Sequence, residues 1–339
     1  MRLGVHAAVV DGALVAGDLE VADGRVAAVG LPGGGAGIAI PGLVDLQVNG
    51  LDGVDFAGAD AAGYARAGEA LAASGVTAFQ PTFITAPEAE LTAALRGVPD
   101  VPIGPRVIGA HLEGPFLAPQ RLGAHPASAR RDPDRALLER LLAAGPVSHV
   151  TLAPELDGAL ELIELLHARG VVVACGHSDA TAEEAERAFD AGAATVTHLF
   201  NAMRPFGHRD PGIAGAALVR EDVTVQLIVD GQHLADETVR LVWRAAPGRV
   251  ALVSDAVAWS PRRPDGMLAG SVQPLIGGMR RLHALGVPLP DAVGAVTSVP
   301  ARIARQPELG SLRPGSRADV VVLDDALEIV RVLVDGEPL

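Results

Sequence analysis

The feature that most constrains the fold is a regular alternation of strand-like and helix-like runs between residues 41 and 311. Apolar runs typical of buried strands lie at 43–50, 76–83, 107–115, 149–155, 171–178, 195–202, 223–231 and 250–256. Helical patterns, often Ala-rich, lie at about 61–74, 87–96, 134–144, 158–169, 181–191 and 235–245. This order predicts an α/β fold, a (β/α)8 TIM-type barrel. A doubly wound open sheet is the alternative, because periodicity does not establish closure.

Both ends of the chain differ from this pattern. Residues 1–40 read as short alternating strands with turns at Asp11-Gly12 and Asp23-Gly24. The last residues again resemble strands, with a turn near Asp335-Gly336. Turn residues between short alternating runs are typical of β structure. The two termini are therefore expected to form one small β domain beside the barrel.

Composition excludes several function classes. The formal net charge of −14 argues against nucleic acid or an anionic membrane as a partner. The basic residues are all Arg, so Schiff-base chemistry, P-loop chemistry and lysine-bridged metal pairs are excluded. No apolar run approaches the ~20 residues of a membrane span, and the N-terminus does not resemble a secretory signal. A cytoplasmic location is expected, and the single Cys175 excludes a disulfide framework.

Polar residues of the metal-ligand type follow most of the predicted strands. They occur in Gln47-Val-Asn49, His111-Leu-Glu113, Gly176-His177, Thr197-His198, Asp230-Gly-Gln-His233 and Ser254-Asp255. In a barrel, catalytic groups project from the carboxyl ends of the strands, so these side chains are expected to converge. Buried polar groups are costly unless they have partners, and a site for metal and substrate would explain the crowding.

Within this set, Glu113, His177 and His198 fit a catalytic zinc-type site. Two neutral imidazoles and one carboxylate leave positions open for water. Asp255, on the last strand, would then take a proton from that water. His111 has the strand parity of Glu113 and is expected to orient it. A single strand His, taken alone, is more often a hydrogen-bonded core residue than a ligand.

Five ordered motifs, HLEGPFL, GHSDAT, THLFNAM, DGQHL and LVSDA, resemble those of N-acetylglucosamine-6-phosphate deacetylases in the amidohydrolase superfamily. The stretches PGLVDLQVNG and GSLRPGSRADVVVLD are similar to segments that flank the barrel in that superfamily. The resemblance implies a catalytic barrel of residues 41–311 and a small β-sandwich of residues 1–40 plus 312–339. It also implies a homo-oligomer, a homodimer or homotetramer, and a small-molecule amino sugar phosphate as the partner.

The resemblance assigns roles to individual residues. It implies that Glu113, His177 and His198 bind the metal and that Asp255 is the catalytic acid and base. His125 is expected to stabilise the charge on the acetamide oxygen, and Arg209 and His233 to bind phosphate. The implied substrate contacts are Ala124, His125, Asn201, Ala202, Arg209, Asp230, Gly231, Gln232, His233, Leu268, Ala269 and Gly270.

Two departures from the family pattern qualify these roles. Gln47-Val-Asn49 stands where many amidohydrolases have His-x-His for a second metal, and amides are poor ligands for such metals. One divalent metal per chain is therefore expected: Zn²⁺, with Fe²⁺, Mn²⁺ and Co²⁺ as alternatives. Segment 257–267 is shorter than in the family, which leaves substrate enclosure open. N-acetylgalactosamine 6-phosphate, an unphosphorylated acetamido sugar and a non-catalytic sugar-binding barrel remain as alternatives.

Overall fold

The structure, a computed structural model, describes residues 1–100, 104–262, 266 and 268–339. It begins with a series of short strands that precede the barrel. These are β1 (Ala7–Val10), β2 (Ala13–Ala16), β3 (Asp18–Ala22), β4 (Arg25–Leu31) and β5 (Ile38–Pro41). The turns predicted between them are present, and Asp11 and Asp23 adopt the left-handed conformation that such turns require.

The barrel strands follow in the predicted order. They are β6 (Leu43–Val48), β9 (Val76–Ile84), β10 (Arg106–Val107), β11 (Ala110–Glu113), β12 (Val147–Leu152), β13 (Val172–Cys175), β14 (Thr195–Val196), β15 (Thr224–Leu227) and β16 (Val250–Leu252), with a small hairpin of β7 (Gly50–Leu51) and β8 (Val54–Asp55) after β6. Neighbours along the sheet pair in parallel. Because β10 pairs with the start of β9 and β11 with its end, these two share one position in the barrel.

The barrel closes between its first and last strands by a short seam. Val48 and Ala256 form a parallel bridge, and the Asn49 N–H donates to the Ala256 carbonyl at 2.8 Å. Below this bridge, the buried Asp45 carboxylate accepts the N–H groups of Ser254 and Gln47. Its burial raises the pKa of Asp45 to about 6. The predicted barrel is therefore confirmed, and the open-sheet alternative is wrong.

The C-terminal strands join the N-terminal ones. They are β17 (Val320–Leu323), β18 (Ile329–Val334) and β19 (Glu337–Pro338), in a sheet of order β19-β18-β17-β5-β1-β2. The hairpin of β3 and β4 packs against this sheet through a shared buried cluster that includes Leu19, Val26, Val320 and Leu333. Two facing sheets with a common apolar core confirm the β-sandwich. The boundaries at 40/41 and 311/312 stay a prediction.

Helices cover the barrel. They are α1 (Ala61–Ala73), α2 (Glu88–Arg96), α3 (Arg135–Ala144), α4 (Ala159–Ala168), α5 (Ala182–Asp190), α6 (Gly212–Val219), α7 (Asp236–Ala245), α8 (Leu275–Ala284), α9 (Leu289–Gly294) and α10 (Ser298–Ile303). Side chains fix several starts: Thr181 and Glu184 form a capping box on α5, and Asp60 caps α1. No helix in the described part of the chain has the length and apolar character to cross a membrane.

The predicted elements match the structure except at a few points. The helices predicted from the sequence all occur within a residue or two of their expected limits. The sequence analysis missed α6 and α8–α10. Nearly every residue of α6 is buried, so its sequence GIAGAALV has no polar face and no helical period. The strand predicted at 195–202 ends at Val196, because the chain turns to place the side chains of the site.

Candidate active site

Three of the residues predicted to bind the metal or to act in catalysis have strained backbones. His177, His198 and Asp255 lie directly after the barrel strands with φ values of 48°, 30° and 49°. This left-handed region is uncommon for residues other than glycine and costs roughly 1–3 kcal/mol at each position. Such strain persists only where the surrounding structure enforces it. At these positions the left-handed conformation ends each parallel strand and turns the side chain into the mouth of the barrel.

The predicted metal ligands converge. Glu113 Oε1 lies 3.1 Å from His177 Nε2 and 3.0 Å from His198 Nε2, and the two nitrogens are 3.2 Å apart. All three side chains are buried. Ligands of a tetrahedral zinc with bonds of about 2.0–2.1 Å are separated by about 3.3 Å, so these atoms fit around one such cation.

The hydrogen bonds of His177 prepare it for a cation. Its Nδ1 is 2.9 Å from the carbonyl oxygen of Arg121, which can only accept, so Nδ1 carries the proton and Nε2 a lone pair. Burial lowers the pKa of His177 to about 4 and keeps the ring neutral. An unprotonated nitrogen therefore faces a carboxylate and a second imidazole, an arrangement that a divalent cation stabilises.

Glu113 supplies the negative charge of this cluster. Although burial opposes ionisation, the surrounding imidazoles of His125, His177 and His198 hold the pKa of Glu113 well below its usual range. The amide of Gln47 donates to Glu113 Oε1 at 3.0 Å and fixes the carboxylate in the cluster. The carboxylate is therefore ionised and oriented before any cation binds.

His111 does not have the expected role. Its Nε2 is 2.7 Å from Thr151 Oγ1, and its ring stacks on that of His149 at a centroid distance of 4.3 Å. Burial lowers the pKa of His111 to about 4. No hydrogen bond joins it to Glu113 in the described structure, so the expectation that His111 orients Glu113 is wrong. Gln47 has that role instead.

Asp255 faces the cluster from the seam of the barrel. Asn49 Nδ2 donates to Asp255 Oδ1 at 2.8 Å, and both residues line the same cavity. Burial, together with the charge of Glu113, raises the pKa of Asp255 to about 7. Gln47 and Asn49, interpreted from the sequence only as replacements for metal ligands, thus position the two carboxylates of the site.

His125 completes the polar groups around the cluster. The N–H of Thr85 donates to His125 Nδ1 at 3.2 Å, so the proton of the neutral ring lies on Nε2. That Nε2 is 3.6 Å from Glu113 Oε2. Glu113, His125 and His177 could also group around a cation. His198 Nε2 approaches the same carboxylate oxygen as His177 Nε2, whereas His125 presents a proton.

These groups lie at the base of a cavity of about 990 Å³ at the carboxyl ends of the strands. The expected substrate contacts that line it are Ala124, His125, Asn201, Ala202, His233, Leu268, Ala269 and Gly270. Four others are not among its lining residues: Arg209, Asp230, Gly231 and Gln232. Arg209 is exposed, and Asp230 is buried against His233, whose Nδ1 is 2.9 Å from Asp230 Oδ2.

The cavity also contains residues that the sequence analysis did not select. Arg121, Trp259 and Arg262 line it. Trp259 and Arg262 belong to the shortened segment 257–267, of which 263–265 and 267 lie outside the described residues. The family motifs gave no signal for Trp259 and Arg262, because segment 257–267 resembles none of these motifs.

Fold and site together define the class of barrel hydrolases that bind a catalytic divalent cation where the strands end. The chain belongs to the amidohydrolase family, whose model matches residues 38–339. It is 37% identical to N-acetylglucosamine-6-phosphate deacetylase of Mus musculus, over 89% of this chain and 83% of that protein. It is 34% identical to N-acetylgalactosamine-6-phosphate deacetylase of Escherichia coli O157:H7, over 94% of this chain and 93% of that protein.

A solved structure has the same fold over the whole chain. It is an aspartate-to-alanine mutant of N-acetyl-D-glucosamine-6-phosphate deacetylase from Mycobacterium smegmatis, in complex with N-acetyl-D-glucosamine-6-phosphate. The two chains superpose with a TM-score of 0.94 at 35% identity, covering 100% of this chain and 98% of the other. The resemblance inferred from the motifs is therefore confirmed.

Proposed function

We propose that this protein is a metal-dependent deacetylase that converts N-acetylglucosamine 6-phosphate and water to glucosamine 6-phosphate and acetate. The observation that carries the proposal is the buried cluster of Glu113, His177 and His198, with Asp255 facing it across one cavity. The similarity to deacetylases over most of the chain supports this reaction. The catalytic domain would be the barrel of residues 41–311.

Glu113, His177 and His198 would hold one divalent cation per chain. Two imidazole nitrogens and one carboxylate suit Zn²⁺, and Fe²⁺, Mn²⁺ or Co²⁺ also accept this ligand set. When bound, such a cation supplies Lewis-acid polarisation of the acetamide carbonyl and lowers the pKa of water. The role of Gln47 argues against a second ion beside the first, because its amide is hydrogen-bonded to Glu113.

The side chains around the cluster would move the protons. Asp255 accepts a proton from the attacking water and delivers it to the leaving nitrogen when the C–N bond breaks. Asn49 holds Asp255 in place through its bond to Oδ1 and leaves Oδ2 for this transfer. His125 Nε2–H donates to the acetamide oxygen, where negative charge develops.

A second substrate is supported by a specific observation. The N-acetylgalactosamine-6-phosphate deacetylase of Escherichia coli O157:H7 is 34% identical to this chain, and the N-acetylglucosamine-6-phosphate deacetylase of Mus musculus is 37% identical. The two sugars differ only at one hydroxyl group. N-acetylgalactosamine 6-phosphate is therefore the alternative substrate, and the homodimer or homotetramer and the cytoplasmic location stay predictions.

Acetate release from a small panel of sugars tests the proposal. The panel contains the gluco and galacto N-acetylhexosamines, each with and without the 6-phosphate, incubated with Zn²⁺-loaded protein. We expect the highest kcat/KM with a phosphorylated sugar, which would be N-acetylglucosamine 6-phosphate. Faster turnover of both unphosphorylated sugars would contradict the phosphate requirement, and a complete lack of acetate release would contradict the deacetylase itself.

Replacing His125 with alanine is expected to lower kcat by about 10²–10³-fold, the effect of losing one oxyanion donor. The metal content should not change, because the ligand set does not include His125. Steady-state kinetics and elemental analysis of the same preparation check both points. A His125→Ala protein that loses its metal would instead make His125 a ligand, as in the alternative grouping with Glu113 and His177.

A further inference from the structure

Described residues of the shortened segment after β16, among them Trp259 and Arg262, line the cavity. Two backbone hydrogen bonds join residues 255–257 to Ser271: the Ser271 N–H donates to the Asp255 carbonyl, and the Val257 N–H donates to the Ser271 carbonyl. Farther out, the Ala269 N–H donates to the Pro261 carbonyl at 2.8 Å, and Arg262 forms an antiparallel bridge with Leu268. These bonds fix the position of Arg262 relative to the catalytic carboxylate.

Arg262 is attached to a second element of the site. Its Nη2 donates to Gln232 Oε1 at 3.0 Å, and its Nη1 donates to the Gly266 carbonyl at 3.1 Å. Gln232 lies in the loop after β15, next to His233, and its N–H donates to Asp230 Oδ1. Among the described residues, both acceptors of Arg262 are neutral groups. These two bonds orient the guanidinium, and neither of them neutralises its charge.

The other arginines near the site are less suitable for binding an anion. Among the described residues that line the cavity, the arginines are Arg121 and Arg262. Arg121 is paired with Asp179, at 2.6 Å between Nη2 and Oδ1, and its backbone carbonyl orients His177. Arg209, the residue expected from the sequence, is exposed, as Arg262 is, but it does not line the cavity of its own chain.

An anionic substrate needs a local cation here. The protein has a formal net charge of −14, and Glu113, Asp255 and Asp55 also line the cavity. Long-range electrostatics thus disfavour a phosphorylated sugar, and its phosphate must be recognised by oriented donors at short range. Arginine binds phosphate through two parallel N–H bonds, which suits a side chain fixed at the mouth of the cavity.

We propose that Arg262, oriented by Gln232, binds the phosphate group of the substrate and gives the enzyme its preference for phosphorylated sugars. This inference rests on the proposed function and adds a specificity residue to it. Gln232 is then a positioning residue that acts through Arg262. The shortened segment would thus contribute to substrate recognition, because it carries the positively charged side chain of Arg262 that binds the phosphate group.

The test compares kcat/KM for N-acetylglucosamine 6-phosphate and unphosphorylated N-acetylglucosamine in the Zn²⁺-loaded enzyme. Arg262→Ala should lower kcat/KM for the phosphorylated sugar by about 10- to 100-fold, mainly by raising KM, with a clearly smaller loss for the other sugar. Competitive inhibition by inorganic phosphate should weaken by a similar factor. Gln232→Ala should raise KM for the phosphorylated sugar by a smaller factor, with kcat retained.

Arg244→Ala is the matched control, because Arg244 is exposed on α7 and does not line the cavity. An Arg262→Ala enzyme that loses kcat/KM equally on both sugars would overturn the proposal. So would an Arg262→Ala enzyme with full activity, if Arg209→Ala loses kcat/KM only for the phosphorylated sugar. If the wild type releases no acetate from any sugar phosphate, the proposed function fails. Calorimetric titration with inorganic phosphate then still tests Arg262: weaker binding by Arg262→Ala supports the anion site, and equal binding overturns it.

Discussion

Replacing Asp255 with asparagine is expected to lower kcat for deacetylation by about 10²–10⁴-fold, while the protein keeps its fold and its metal. An amide has nearly the same shape as a carboxylate but cannot accept a proton from water and return it to the leaving nitrogen. The new side chain can still accept the bond from Asn49 Nδ2, so the seam around it should persist. Steady-state acetate release measures kcat, and elemental analysis measures the metal.

Asp157→Asn is a matched control for this change. Asp157 is an exposed carboxylate in the loop between β12 and α4, outside the lining of the cavity, and should tolerate the same substitution with normal kcat. An Asp255→Asn enzyme that retains about a tenth or more of the wild-type kcat would show that another group is the base. Loss of the metal in this variant would mean that Asp255 belongs to the ligand set.

The metal ligands could be predicted because their positions follow from a general property of barrels. Glu113, His177 and His198 each come at or just after the end of a parallel strand, and these ends meet at one face. Their convergence therefore needed only the strand order and not the details of packing. The same reasoning located Asp255, which follows the last strand of the barrel.

The partners of these residues could not be predicted, because they depend on contacts between distant parts of the chain. Asn49 and Asp255 are 206 positions apart, and Gln47 and Glu113 are 66 apart. No periodic pattern encodes such a pairing, and strand parity predicted that His111 would orient Glu113. The only two asparagines, Asn49 and Asn201, both line the cavity, a scarcity that gave a weak signal of their importance.

The shortened segment shows a different limit of sequence analysis. Its reduced length left substrate enclosure an open question, whereas Trp259 and Arg262 line the cavity. The backbone bonds that hold it, from Ala269 to Pro261 and from Ser271 to Asp255, involve no characteristic side chain. A segment fixed by main-chain bonds leaves little trace in residue type, so its contribution is visible only in the structure.

Replacing His177 with alanine is expected to abolish tight metal binding and, with it, deacetylation. The substitution removes one of three ligand atoms that lie within 3.2 Å of one another. A zinc site with only Glu113 and His198 left lacks the ligand count of a catalytic centre. Elemental analysis after dialysis should give about one metal per wild-type chain and almost none in His177→Ala. His198→Ala should behave in the same way.

Gln47→Ala provides the contrast, because Gln47 orients Glu113 without being a ligand. Loss of such an outer partner costs roughly 10–100-fold in metal affinity or activity, so this variant should still contain metal when Zn²⁺ is supplied. Chelation of the wild type should remove activity, and added Zn²⁺ should restore it. Two tightly held metals per chain would contradict the single site, as would a His177→Ala protein that keeps a full equivalent. Because Gln47 donates its amide hydrogen towards the cluster, a second cation beside it would meet a positive dipole where it needs a lone pair.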